Sequence, residues 1–222
     1  MSAGRGGPLR SSVAVIDLGL RSARVRLVHD REHHELVIEA VRRARRSVWI
    51  STANLKDLRV PGRAARRYVP MLDVLDGLAR DGVELRLLHA GPPSRAFRAS
   101  FDARPRLYEG GLRLRQCARV HLKVVVIDGA LLYLGSANWT GAGLGAKGED
   151  RRNFELGLLT DDDAMLDEVQ ARFDALWRGT ECARCRLRSE CEAPLDLDQR
   201  PAAKGPVVRM RLAPRSRGRL GS

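Results

Sequence analysis

Over residues 31–46 the apolar positions recur at helical intervals. Leu36, Val37, Ala40, Val41 and Ala44 fall on one face, with much of Arg42, Arg43, Arg45 and Arg46 on the other. That arginine run reads first as a solvated flank and second as a nucleic-acid patch. Short apolar runs at Val13–Leu18, Val25–Val28 and Val48–Thr52 predict strands. Pro70 opens a second helix with Met71, Leu72, Leu75 and Leu78 inward, and Asp81-Gly82 ends it before a strand at Val83–Leu88. This strand–helix–strand order predicts an α/β architecture.

Residues 91–116 contain Pro92, Pro93 and Pro105 and read as loop, with one helical turn near Phe97. Val120–Ile127 is then a strand, Asp128-Gly129 a hairpin turn and Ala130–Leu134 its partner. Thr140–Arg152 is a glycine-rich stretch, expected to form a flexible rim that offers Lys147, Arg151 and Arg152 to substrate. It lacks the Lys-Ser/Thr pair of a nucleotide loop. Asn153–Leu159 is another strand. Asp161 or Asp162 caps a helix to about Trp177, with Met165, Leu166, Val169, Phe173, Leu176 and Trp177 inside, and Gly179 stops it.

Composition changes the picture in two ways. The 222 residues, 44% hydrophobic, suffice for one core with appendages, and no 18-residue apolar run exists to make a transmembrane segment. With no apolar core behind the first residues, a cytoplasmic protein is expected. The net charge is +13, of which +7 lies between Arg200 and Arg219, leaving +6 on residues 1–199. A disordered basic tail of this kind suits polyanions such as nucleic acid or an anionic membrane. Only four of the 40 basic residues are lysine, so codon bias explains the arginines equally well.

The densest chemistry lies between residues 120 and 155. His121 and Lys123 are two apart on an apolar strand, so their side chains share a face. Ser136 and Asn138 repeat that spacing on the next strand. Such groups are costly to bury without partners, and together they suit an anion such as a phosphodiester. A neutral imidazole can attack phosphorus, while Lys123 and Asn138 stabilise charge on the non-bridging oxygens and Ser136 adds a hydrogen bond. Glu155 is expected to accept a hydrogen bond from the far nitrogen of His121 and hold its tautomer. Asp128 joins the candidate residues, although an Asp before Gly favours a structural turn role.

The run His121-x-Lys123-x4-Asp128-x6-Gly135-Ser136-x-Asn138, followed by Asn153-Phe154-Glu155, resembles the HKD signature of the phospholipase D superfamily. The wider likeness covers roughly residues 31–180. It implies a mixed β-sheet flanked by helices, phosphodiester hydrolysis through a phosphohistidine, and no metal for catalysis. The chain is expected to divide into a leader with short strands (1–30), a phospholipase D-like catalytic domain (31–180), a cysteine-rich metal-binding segment (181–199) and the basic tail (200–222). Val13–Gly19 also resembles the first phosphate loop of actin-like ATPases, but no other element of that fold is evident.

The resemblance implies two histidines per site, one nucleophile and one general acid. This chain has one HxK. His29, His33, His34 and His89 begin no second motif, although Ile50-Ser-Thr-Ala-Asn54 partly echoes Leu134-Gly-Ser-Ala-Asn138. A homodimer that joins His121 to its copy is the simplest expectation.

Cys182-x2-Cys185-x5-Cys191, with Cys117, makes one complete four-thiolate set. The spacing is similar to the terminal cysteine group of nucleases that carry an iron–sulfur staple. A structural 4Fe-4S cluster is expected, with zinc as the alternative and unligated thiols as the plain reading. For substrate, the format, charge and cysteine spacing favour nucleic acid. Phospholipid hydrolysis or transphosphatidylation is the second reading, and a catalytically silent nucleic-acid-binding module the third.

Overall fold

The computed structural model describes residues 19–62 and 67–197. The expected strand at Val13–Leu18 and the basic tail at 200–222 lie outside them. The chain runs through β1 (Arg26–His29), a π-helical segment (His33–Ile38) continuing into α1 (Glu39–Arg42), then β2 (Ser47–Thr52), β3 (Arg59–Pro61) and β4 (Tyr68–Pro70). Next come α2 (Met71–Arg80), β5 (Glu84–His89), α3 (Arg95–Asp102), β6 (Arg113–Gln116), β7 (Val124–Ile127), β8 (Leu131–Gly135), β9 (Leu156–Thr160) and α4 (Asp163–Trp177).

Seven strands form one mixed sheet in the order β1-β9-β8-β7-β2-β5-β6. Its β2–β5 and β5–β6 pairs are parallel, and the remaining pairs are antiparallel. Strand alternation supplies two buried faces. Val48, Ile50, Leu85, Leu87, Val125 and Ile127 pack against α1 and α2, whereas Val124, Val126 and Leu132 meet Leu166 of α4. All four residues of β7 are therefore buried, as a central strand covered on both faces requires. The α/β expectation of a mixed sheet flanked by helices is met.

Local chemistry sets the helix ends. The Asp162 carboxylate accepts the Met165 N–H at 2.9 Å and caps α4. At its far end Gly179 adopts φ 73°, and the Thr180 N–H closes onto Ala175 O at 3.1 Å. Ser94 caps α3 by accepting the Phe97 N–H.

Several boundaries differ from expectation. The first helix stops at Arg42 rather than residue 46: the Arg43 and Ala44 N–H groups close a last tight turn, and Asp128 captures those of Arg45, Arg46 and Ser47. Residues 91–116 hold an eight-residue helix and the edge strand β6, not a loop with a single turn. A two-stranded ribbon, β3–β4, occupies a stretch with no strand signal. β7 starts at Val124, because β2 pairs it only as far as Ser51 opposite Val124, and the chain beyond turns toward Asn138.

Candidate active site

Sheet register gathers the candidate residues at one end. The start of β7, the end of β8 and the start of β9 lie side by side, with Val124 opposite Leu134 and Gly135 opposite Gly157. The C-terminal end of β2 lies on the other side of β7. His121 and Lys123 precede β7, Ser136 and Asn138 follow β8, and Glu155 precedes β9. The Gly135 N–H donates to Lys123 O at 3.1 Å and extends the ladder by one bond.

Lys123 Nζ stands 2.9 Å from His121 Nδ1 and 3.3 Å from Nε2, and donates to His121 O at 2.9 Å. A group this close to both ring nitrogens lies over the imidazole face rather than on the lone pair of either, and the His121 carbonyl is its hydrogen-bond acceptor. Lys123 is buried while His121 is exposed. Burial pulls the ammonium below its ordinary range, and the charge of Glu155 opposes that pull.

Asn138 is fixed by the end of β2. Its Oδ1 accepts the Asn54 N–H at 3.0 Å and lies 3.3 Å from Thr52 Oγ1, which itself accepts the Trp139 N–H at 2.9 Å. The carbonyl end of the amide is thus occupied, and its Nδ2 has no protein acceptor among the described residues. The Ile50–Asn54 echo of the Leu134–Asn138 run is therefore a packing partner of the site. The sequence carried that signal without showing its meaning.

Glu155 differs from expectation. Its Oε2 accepts the Ser136 hydroxyl at 2.5 Å, its Oε1 accepts Asn153 Nδ2 at 3.0 Å, and among the described residues no hydrogen bond joins it to His121. The reason is register. The Ser136 N–H donates to Leu156 O at 3.0 Å, and the Leu156 N–H donates to Ser136 Oγ at 3.0 Å. That seats Glu155 over Ser136.

Asp128 is structural. Its carboxylate accepts the N–H groups of Arg45 (2.9 Å), Arg46 (2.6 Å) and Ser47 (2.9 Å), far from His121 in the fold. Burial raises its pKa, but these three donors outweigh burial and hold the carboxyl below its ordinary range. Asp128 and Gly129 both take left-handed conformations (φ 56° and 65°), and the Ala130 N–H closes the turn onto Ile127 O at 3.0 Å.

The sequence reading missed Tyr133 and His33 beneath the site. Tyr133 lies across the paired glycines of β8 and β9. A Cβ at Gly157 would meet Tyr133 Cε2 at 2.5 Å, and one at Gly135 would meet Tyr133 Oη at 2.6 Å. Buried His33 stands edge-on to the Tyr133 ring, 5.6 Å between centroids. Burial lowers its pKa, and its Nδ1 faces Asp30 O at 3.2 Å.

The glycine-rich stretch is not a loose rim. Leu144 is buried, the Gly143 N–H donates to Thr140 Oγ1 at 3.0 Å, and the Ala146 N–H donates to Gly141 O at 3.0 Å. Lys147 and Arg152 line a separate cleft of about 540 Å³ with His34 and Tyr68, and no catalytic candidate borders it.

The four cysteines are free thiols. Cys117 and Cys182 pack against one cluster of Leu88, Val120, Phe173, Trp177 and Leu195. Among the described residues, no three His, Cys, Asp or Glu side chains stand in a ligating arrangement, so the expected metal set is not assembled as the side chains lie. No helix among them is long and apolar enough to cross a membrane.

Residues 37–177 match the family described as "Cardiolipin synthase, PLD-like domain". The cardiolipin synthase of Geobacillus thermodenitrificans is 31% identical over 131 residues, covering 56% of this chain and 22% of its own. The mitochondrial cardiolipin hydrolase of Chlamydomonas reinhardtii is 30% identical over 108 residues, covering 47% and 44%. The chain thus spans less than half the length of these relatives. Among solved structures, the phospholipase D family member Nuc from Salmonella typhimurium superposes with a TM-score of 0.53 at 17% identity, covering 71% of this chain and 95% of its own. NucT from Helicobacter pylori gives 0.50 at 17%, covering 69% and 94%. With the match spanning more than half of the chain and the same layered sheet in both neighbours, this chain belongs to the phospholipase D superfamily.

Proposed function

We propose that the chain hydrolyses phosphodiesters through a phosphohistidine on His121, in a site completed by a second copy of the chain, with nucleic acid as substrate. The observation that carries this reading is the gathering of His121, Lys123, Ser136, Asn138 and Glu155 at one end of the sheet, with the buried Lys123 Nζ 2.9 Å from His121 Nδ1. A phosphate that binds the ammonium through its non-bridging oxygens is brought against the His121 ring, whose nitrogen attacks phosphorus. A nitrogen–phosphorus bond forms as the ester P–O bond breaks. The leaving oxygen takes a proton from the imidazolium of the second copy's His121. That imidazole, now neutral, deprotonates the water that cleaves the phosphohistidine. Lys123 and the Asn138 Nδ2 stabilise the charge that develops on phosphorus oxygens.

Two features support the dimer. One chain supplies a single histidine at the site. Beside Glu155, Phe154 is 99% exposed, Leu156 57% and Leu27 63%, with Leu27 and Leu156 on one face of the β1–β9 edge. Apolar surface of this kind suits a covered interface. The charge of +13 supports a polyanionic substrate.

A second reading, phospholipid hydrolysis or transfer, is favoured by the same exposed Phe154 and by the cardiolipin-acting relatives. The test compares wild type with His121→Ala on single-stranded nucleic acid, duplex and anionic phospholipid vesicles, all in chelator, with circular dichroism as a check on folding. Cleavage of nucleic acid that resists chelator and is lost in His121→Ala is the expected result. Turnover of phospholipid alone would establish the second reading. Cleavage that survives His121→Ala would remove the phosphohistidine.

A further inference from the structure

We propose that Cys117, Cys182, Cys185 and Cys191 form a tetrathiolate metal centre that fastens the segment after α4 to the strand connection leading into His121. This goes beyond the proposed phosphodiesterase and does not depend on it.

The four are all the cysteines of the chain, and the fold brings Cys117 and Cys182, from two distant stretches of sequence, against one apolar cluster. Three are carried on successive tight turns. The Cys185 N–H donates to Cys182 O (3.1 Å), the Arg188 N–H to Cys185 O (3.0 Å) and the Cys191 N–H to Arg188 O (3.4 Å). The fourth is fixed from the other side, where the Cys117 N–H donates to His89 O at 2.8 Å and Cys117 O accepts the Val120 N–H at 2.9 Å. Cys117 and Cys182 rest on the same apolar cluster. The Arg119 side chain bonds Cys185 and lies in the electrostatic field of Cys117, while Arg188 lies in that of Cys182 and Cys191.

The surrounding segment needs such a fastening. After Trp177 the described chain forms no α-helix or strand, only two short 3-10 turns, Cys182–Arg184 and Arg188–Glu190. Leu195 is its one buried apolar side chain among the described residues. The segment is also tied by Arg115, which donates to the carbonyls of Trp177 and Leu195, and by the ion pairs Arg188–Asp196 (2.5 Å) and Arg172–Glu181 (2.7 Å). Solvent-facing pairs of this kind add little, while ordering an irregular segment costs entropy for every residue. Four thiolates on one ion offset that cost, as structural metals do where a core is too small.

As the thiols lie, no three of them ligate together, and Cys185 bonds Arg119. Arg119 is exposed, and closing the thiols to about 2.3 Å around zinc or onto the irons of a 4Fe-4S cluster requires it to release Cys185 and the cysteine side chains to turn inward. A centre closed by four cysteines has no open position for substrate, so its role is to hold the 117–123 stretch in place.

The test uses the full chain, expressed with iron and zinc supplied and purified anaerobically without chelator. We expect about one zinc per chain, or about four irons with matching acid-labile sulfide and visible absorption near 400 nm. Cys117→Ser and Cys185→Ser should each lower the bound metal several-fold. Should either variant fail to fold, X-ray absorption on the wild type decides, with an all-sulfur shell expected at the metal. Less than a tenth of an equivalent of either metal in folded wild type, whether its thiols titrate freely or form disulfides, would overturn the proposal. Full metal retention in Cys117→Ser, or nitrogen or oxygen in the shell, would do the same.

Discussion

A lysine that donates to the carbonyl of His121 and lies 2.9 Å from a ring nitrogen of the same histidine acts as a local clamp, and it arises from a spacing of two residues. That contact is encoded within three positions, which is why the sequence displays it. The partner of Glu155 is not local. It follows from the pairing of β8 with β9, which places Ser136 under the carboxylate, and no motif spacing reveals that choice. Asp128 carries both kinds of information. Its place before Gly129 signals a turn, but its three bonds to Arg45, Arg46 and Ser47 join segments some eighty residues apart. Asp128→Ala leaves those N–H groups without their acceptor. It should lower stability by about 1–3 kcal/mol, measured by denaturant unfolding. Activity of the still-folded fraction should be unchanged; a direct loss of turnover at full stability would place Asp128 in the chemistry instead.

The central strands and the long helices were legible because burial imposes a period. Val124–Ile127 is apolar throughout, and α4 repeats Leu166, Phe173 and Trp177 toward the sheet. The edges were not legible. β6, with the sequence Arg-Leu-Arg-Gln, exists because β5 offers it a parallel ladder, and the β3–β4 ribbon has no run of strand-forming residues at all. The paired glycines of β8 and β9 belong to the same class of tertiary fact. Gly135 is part of the motif, yet the reason for it is the Tyr133 ring, which needs the space a side chain would fill at either position. Gly157→Ala, which touches no candidate catalytic residue, should displace Tyr133 and with it the β8–β9 ends that carry Ser136 and Glu155. We expect a loss of about 1–3 kcal/mol, the usual cost of overpacking a filled site. Turnover should fall by more than the unfolded fraction explains. Thermal melting read beside steady-state kinetics checks both, and a variant with wild-type values in each would remove the slot from the site's construction.

The molecule presents one clamp, one anchored amide, and an apolar rim at Phe154 and Leu156, all at the same end of the sheet. A single histidine serves as nucleophile or as general acid in a given turnover, and the proposed mechanism requires both at once. Pairing two chains across a two-fold axis brings those roles together and covers the exposed rim, so assembly and chemistry become one question. Mixing wild type with His121→Ala under conditions that exchange subunits answers it. If each site needs both histidines, activity falls as the square of the wild-type fraction, so an equal mixture retains about a quarter of the full rate. A linear fall, with about half retained, would mean that each chain works alone and would contradict the shared site.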